Sequence, residues 1–485
     1  MKKLLIDRLI SKIFENTSGR WLALDVLRGL SIFGMVFSAI VPSGVLPGWM
    51  YHVQNPPPAH VLDMTVPGIS WVDWVFPIFI FCMGVAIPLA GWKRVENRGK
   101  FFSNLFIRFL LLWAFAYLVT LLGPSGMKGK LDLVLFDVHV RAYDIQAFVL
   151  LGFFAMFAFF LKLKPSVKRV WIRVAGACVI LGIIALFHWG YGAPLTVHRR
   201  SIIILLLAFL YLFGSLIWYA TRNCSWGRLV FFLGVVSLSV LSKETGFDSW
   251  LYAQKSLKWV LNMEEIYFLL LLIPATWVGD YISGRLGWRG QKDTVSERPP
   301  VGHLFYMLLG ALAIFLCIGL YMRWHEWILL TVSLSVLLLC LIISRNSSRN
   351  LFPLMALAAA LLFIGLVLDP YEGGIKKVPA TLSYCFTMGG ICIILLLFFH
   401  YICRLLPGSF FVRTFSGAGA NPLMSFVAFG SFVMPVLNLT FLVGIYRAAY
   451  PEGEPWIGVL RGFVIVLLTM YLVAVMSRKG IYWRA

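Results

Sequence analysis

His60 stands in the stretch NPPPAHVLD, in a segment with no Lys or Arg, and two carboxylates, Asp63 and Asp73, follow it closely. An imidazole can accept or release a proton near neutral pH, and its ring nitrogen can attack an acyl group. A carboxylate on the far ring nitrogen would fix the tautomer and stabilise the imidazolium, as in a triad. Asp73 opens the apolar run WVDWVFPIFIFCMG, which places it at a helix start. The plainer reading is a surface-loop histidine. His52, His139, His188 and His198 lie in comparable segments, so residue chemistry alone does not single out His60.

Other polar side chains sit inside or at the ends of apolar blocks, where ionisable groups are expensive and by default point to function. Asp25 and Arg28 in ALDVLRGL share one helical face and can neutralise each other. They read either as a structural ion pair or as a site at which Arg28 meets an anionic ligand such as a phosphate-bearing cofactor. Arg141 precedes Asp144 and Gln146. Lys376 and Lys377 precede Thr381, Ser383 and Tyr384. Asn421 and Pro422 follow the Gly-rich, flexible SGAGA, and Asp280 lies in IPATWVGDYI. Each such residue is more often a helix cap or an interfacial anchor than a catalyst. Together they point to a cavity traversing the molecule. The eight cysteines form neither CxxC pairs nor metal-ligand spacings, so we expect no metal site and no disulfide framework. Walker, GxSxG, HExxH and GxGxxG motifs are absent, which removes support for nucleotide-driven transport.

The elements that must position these groups are membrane helices. Of 485 residues 60% are apolar and only 13% charged, with a mean hydropathy of +0.86. The apolar residues come in blocks of about 20, the length that crosses a ~30 Å hydrocarbon core as a helix. Backbone groups in lipid must be satisfied internally, so repeated blocks of this kind mean an all-α, polytopic transmembrane helix bundle. Fourteen blocks are visible: 22–42, 73–91, 104–123, 144–161, 170–188, 201–220, 228–242, 267–284, 302–321, 326–344, 351–368, 381–403, 421–446 and 456–476. The seventh is short and the ninth and tenth nearly touch, giving about 12–14 spans.

The net charge of +21 resides mainly in short loops such as GWKRVENRGK, LKLKPSVKRVWIR and SRKGIYWRA. That pattern follows the positive-inside rule, puts both termini in the cytoplasm and argues against a nucleic-acid partner. Residues 1–20 read as a basic interfacial helix on the cytoplasmic face, or as a disordered basic tail, and 21–485 as a single transmembrane domain. Segment 43–72, with His60, then lies outside the membrane on the far side. Its Pro56–Pro58 run favours a stiff polyproline II segment.

The stretches ALDVLRGLSIFGMVF, NPPPAH and PGISWVDWVFPIFIFCMG, with IKKVPATLSY, GAGANPLMSFV, LIPATWVGDYI and the ending SRKGIYWRA, resemble the heparan-α-glucosaminide N-acetyltransferase family. The matching pieces run in order from residue 23 to the end, and WVDWVFP is the most specific. The resemblance implies acetyl transfer from cytoplasmic acetyl-CoA to the amine of a glucosamine-type sugar or glycan on the far side of a lipid bilayer. His60 matches the family's catalytic histidine and Asp73 its acidic neighbour. Arg141, Gln146, Lys377, Ser383 and Asn421 match further positions of the family, and with Arg28 they are the candidates for binding acetyl-CoA. The resemblance also implies a homodimer and a bacterial inner-membrane member, because the large luminal domain of the animal enzymes is missing. The His60–Asp73 spacing is longer than in those enzymes, Ala39 stands where they carry a polar residue, and the Arg–Gln segment is altered. Two rival expectations are an O-acetyltransferase of a cell-envelope polysaccharide and a non-enzymatic transporter of sugars or amphiphiles.

Overall fold

The computed structural model describes residues 21–92, 94–95, 97–123, 134–135, 138–139, 142–162, 167–190, 201–247, 250, 253–254, 263–283, 302–347, 351–451 and 453–483. The N-terminal segment 1–20, Arg141 and His198 lie outside them.

The apolar blocks fold as helices. In chain order these are α1 (Leu22–Ser38), α2 (Trp71–Gly91), α3 (Arg98–Leu121), α4 (Ala142–Phe160), α5 (Val167–Ala185), α6 (Ile202–Thr221), α7 (Ser225–Glu244), α8 (Met263–Ile282), α9 (His303–Met322), α10 (Glu326–Ser347), α11 (Phe352–Leu368) and α12 (Leu382–Leu405). The C-terminal part adds α13 (Phe410–Gly419), α14 (Pro422–Ala428), α15 (Met434–Leu439), α16 (Leu442–Ala448) and α17 (Pro455–Arg478). Among the described residues ten helices are long and apolar enough to cross a membrane, so the protein is a multi-pass membrane helix bundle. The seventh block is not short: α7 runs for 20 residues. The thirteenth is broken, because a π-helical segment (Phe429–Val433) joins α14 to α15 and the chain leaves helical geometry at Thr440.

Burial orders the bundle from inside to outside. The most apolar windows of α2 and α12 are 72% and 83% buried, against 17% for the span that contains α5. Trp171 on α5 and Val230 on α7 are exposed, as residues facing lipid tails would be. At the centre α2 packs on α8 and α1, and α12 packs on α11, α9, α8 and α1.

Small residues let backbones approach where no long side chain would fit. A Cβ on Gly29 of α1 would meet the carbonyl of Phe415, and one on Gly419 of α13 would meet the carbonyl of Asp25. The SGAGA stretch is therefore not a flexible hinge: through Gly419 it is the last part of α13, pressed against α1.

Candidate functional site

At one end of the bundle α1, α9 and α11 finish and α2, α12 and α17 begin. The charge pattern makes this the outer end. Two loops meet there, 39–70 before α2 and 369–381 before α12.

Asp73 enters the site through the start of α2. Ser70 caps the helix by accepting from Val72 N, and Asp73 Oδ2 accepts from Ser70 N at 3.1 Å, the reciprocal bond of a capping box. This leaves Oδ1 facing away from the cap. Asp73 is buried, and Tyr384 from α12 donates its hydroxyl to the Asp73 backbone carbonyl at 2.7 Å, tying the two helix starts together.

The imidazole on this carboxylate belongs to His52. Its Nδ1 lies 2.6 Å from Asp73 Oδ1, and Val53 N adds a weaker bond to Oδ2 at 3.3 Å. A buried carboxylate here only accepts, so the proton between them sits on Nδ1 and the Nε2 lone pair points away from Asp73. The His52 side chain is 38% exposed. Lys377 completes the group, its Nζ 3.5 Å from Asp73 Oδ1 and 3.2 Å from His52 Nδ1. The ammonium offsets the charge of the buried carboxylate from the side opposite Nε2.

Gln54 holds the two loops in register. Its amide donates to Val378 O at 2.6 Å and accepts from Val378 N at 2.8 Å, a two-way clamp between the His52 and Lys377 segments. Around it Glu372 accepts from the backbone N–H groups of Leu382 and Ser383 at the start of α12 and pairs with Lys243 at 3.1 Å. Arg323 pairs with Asp369 at 3.0 Å beneath the same loop.

His60 does something else, and its expected pairing with Asp73 is corrected. Its Nε2 accepts from Gly44 N at 2.9 Å, and its Nδ1 donates to Asn55 O at 3.1 Å. Both ring nitrogens are thereby used to staple the loop, and the ring packs edge-on against Tyr51. The residue itself adopts the left-handed region at φ 51, with its N–H bonded back to Pro56 O at 3.0 Å. The Pro56–His60 stretch is accordingly a turn and not a polyproline II segment. Asp63 is not available to His60 either: Thr65 donates to it from backbone and side chain, which holds its carboxyl below the usual carboxylate range.

Most of the described candidates for binding acetyl-CoA are engaged in the fold. Arg28 donates to Asp25, to Gly419 O at 3.2 Å and to Cys82 O at 3.4 Å, so it is a helix-crossing anchor. Ser383 is fully buried and donates to Thr381 Oγ1 at 2.9 Å. Asn421 is also fully buried; it donates to Ile481 O at 3.1 Å and accepts from Trp483 N at 3.0 Å, fastening the C-terminal strand-like end. Gln146 is half-buried on α4, which packs chiefly on α5 and α15. Among the described residues the structure thus brings together only Asp73 and Lys377 of those expected, and it adds His52 and Gln54. The Ser-x-x-Asp spacing of 70–73 is the one local signal for this arrangement.

At the opposite end Asp280 forms a second buried centre. It pairs with Arg228 at 2.6 Å and accepts from Trp92 Nε1 at 2.6 Å and Trp218 Nε1 at 3.1 Å, while Arg228 also reaches Thr221 and Thr276. Every partner in this network is satisfied, and both charged side chains are 2% exposed, so we assign it to locking α6, α7 and α8. No His/Cys/Asp/Glu group suited to a metal occurs among the described residues.

No curated protein matches the chain. Residues 20–282, more than half of its length, match the family described as "Domain of unknown function (DUF5009)", a stretch that runs from the start of α1 to the end of α8 and includes His52, Gln54, His60 and Asp73 but not Lys377. On that match the chain belongs to the DUF5009 family.

Proposed function

We propose that this protein is a transmembrane acetyltransferase of a bacterial inner membrane, moving acetyl from cytoplasmic acetyl-CoA to the amine of a glucosamine-type sugar on the outer side. The observation that carries this reading is the His52–Asp73 contact of 2.6 Å on a histidine whose side chain is 38% exposed. A carboxylate on Nδ1 leaves Nε2 as a proton acceptor and stabilises the imidazolium that forms. His52 takes a proton from the acceptor amine as its nitrogen bonds to the thioester carbonyl carbon. The tetrahedral intermediate then collapses, the C–S bond breaks, and the thiolate leaves with the proton His52 held. The products are the N-acetylated sugar and the free thiol.

Lys377 lies on the Nδ1 side, so its part in this scheme is to balance Asp73, not to hold the oxyanion. No step is assigned to Arg28, Ser383 or Asn421, whose polar atoms are engaged in the fold. The test is transfer of label from acetyl-CoA to glucosamine by purified protein in detergent, run beside His52→Ala and His60→Ala. Loss of transfer in the first with retention in the second is expected. Full activity of His52→Ala would sink the assignment of the base.

A further inference from the structure

On the opposite half of the bundle, a cleft of about 560 Å3, counted out to its open mouth, lies between α2, α3 and α6. It is distinct from the Asp280 centre and from the His52 site. Its polar groups are Arg94, just past the end of α2, with Asn104 and Arg108 on α3 and Ser215 on α6. Its apolar wall includes Met83, Ile87 and Leu105.

Arg108 is the unusual member. It stands ten residues into α3, about 15 Å along the axis from Arg98, and it is flanked by the exposed apolar residues Phe106, Ile107 and Leu110. A lipid-facing helix surface is a costly place for a guanidinium. Its guanidinium carbon lies 4.6 Å from the ring centre of Tyr211, and among the described residues no carboxylate is in ion-pair range of Arg94 or Arg108. Side chains on a helix lean toward its N-terminus, and α3 begins at the end that the Lys/Arg pattern puts in the cytoplasm. Arg108 lines the same cleft as Arg94, which lies just past the cytoplasmic end of α2.

We propose that this cleft is a binding site for an anionic phospholipid of the cytoplasmic leaflet. The phosphate is held between the guanidinium groups of Arg94 and Arg108, with Asn104 as a further donor, and an acyl chain lies along the Met83–Ile87–Leu105 wall. Guanidinium groups bind phosphate through paired, charge-assisted hydrogen bonds, which a zwitterionic lipid's own ammonium weakens. The site's lateral position on the exposed face of α3 suits a lipid that enters from the bilayer.

The test is native mass spectrometry of the full chain in a neutral detergent, with phosphatidylglycerol and phosphatidylcholine supplied in equal amounts. The wild type is expected to retain phosphatidylglycerol at least tenfold over phosphatidylcholine. Arg94→Gln/Arg108→Gln should bring that preference within about twofold, while Arg98→Gln/Lys100→Gln, outside the cleft lining, should leave it intact. Ala90→Trp fills the cleft and keeps both arginines, so it should also lose the lipid and separates occupancy from general charge. An unchanged preference in the double arginine variant or in Ala90→Trp overturns the proposal. So does stoichiometric displacement of the lipid by free coenzyme A, which would make the cleft a site for that molecule's phosphates.

Discussion

The imidazole of His52 and the carboxylate of Asp73 meet at 2.6 Å although 21 residues separate them in sequence. The carboxylate serves two elements at once. Oδ2 closes the capping box of α2, and Oδ1 orients the histidine. Because the cap fixes where Asp73 stands, it also fixes where the imidazole is held. The intervening loop is in turn braced by His60, whose ring bridges Gly44 and Asn55.

That division of labour separates the two histidines experimentally. His52→Gln should lower kcat/KM for acetyl transfer by roughly 10²–10⁴, the usual contribution of a positioned general base, with little change in Tm. His60→Ala should do the reverse. It removes two loop hydrogen bonds, each contributing about 1 kcal/mol net, so Tm falls while kcat is kept largely intact. Thermal unfolding and steady-state rates on the same preparations decide the matter, and equal rate losses in the two variants would reject it.

How much of this was legible in the residues depends on the range of the interaction. The helices are set by blocks of apolar side chains, and these are local, so the bundle could be read directly. Asp73 could be placed at a helix start because it opens an apolar run, which is again local. That Asp73 meets His52 and not the expected His60 could not be read, since both histidines lie in the same loop and their partners follow from its path. That path depends on a left-handed turn at His60 and on a Gln54–Val378 clamp joining groups 324 positions apart. Arg28 was legible in part. Its pairing with Asp25, three residues away, is local and forms as one of the two readings had it, whereas its other partners, the carbonyls of Gly419 and Cys82, are brought near only by the packing of α1 on α13 and α2.

The Gln54 clamp predicts a defect in catalysis without a change in the catalytic group. Gln54→Leu removes both bonds to Val378 and leaves a buried backbone N–H and C=O to find water, a loss of about 1–3 kcal/mol. The Lys377 segment would then drift from His52 and Asp73. We expect kcat to fall about tenfold or more, as for a small misplacement of groups, and Gln54→Glu to restore only the bond from Val378 N. Rates of the two variants, measured with wild-type protein, should rank in that order.

At the other end of the bundle the Asp280–Arg228 pair should behave as a buried pair does. Asp280→Asn leaves the Arg228 guanidinium without its counter-charge, and breaking a buried pair from one side costs about 3–5 kcal/mol. The double variant Asp280→Asn/Arg228→Met removes the orphan charge and keeps acceptors for Trp92 and Trp218, so it should regain a large part of that loss. Unfolding midpoints in detergent provide the comparison. A double variant no more stable than Asp280→Asn would show that the two residues contribute independently.

The crossing of α1 and α13 gives the most direct test of packing. Gly29 and Gly419 face each other's backbones: an added Cβ at Gly419 would run into the Asp25 carbonyl and one at Gly29 into the Phe415 carbonyl. Neither obstacle is a flexible side chain, so Gly→Ala at either position must push two helices apart, a strain of about 1–3 kcal/mol or more. Gly430, in the π-helical segment, has open space around its Cβ direction and is the control. Gly430→Ala should leave Tm almost unchanged. Separation at the crossing would also pull Gly419 O away from Arg28 and loosen the span that begins the chain's membrane domain. Gly419→Ala should therefore lower Tm and raise protease sensitivity near α13 together, and a Tm equal to that of Gly430→Ala would refute a tight crossing.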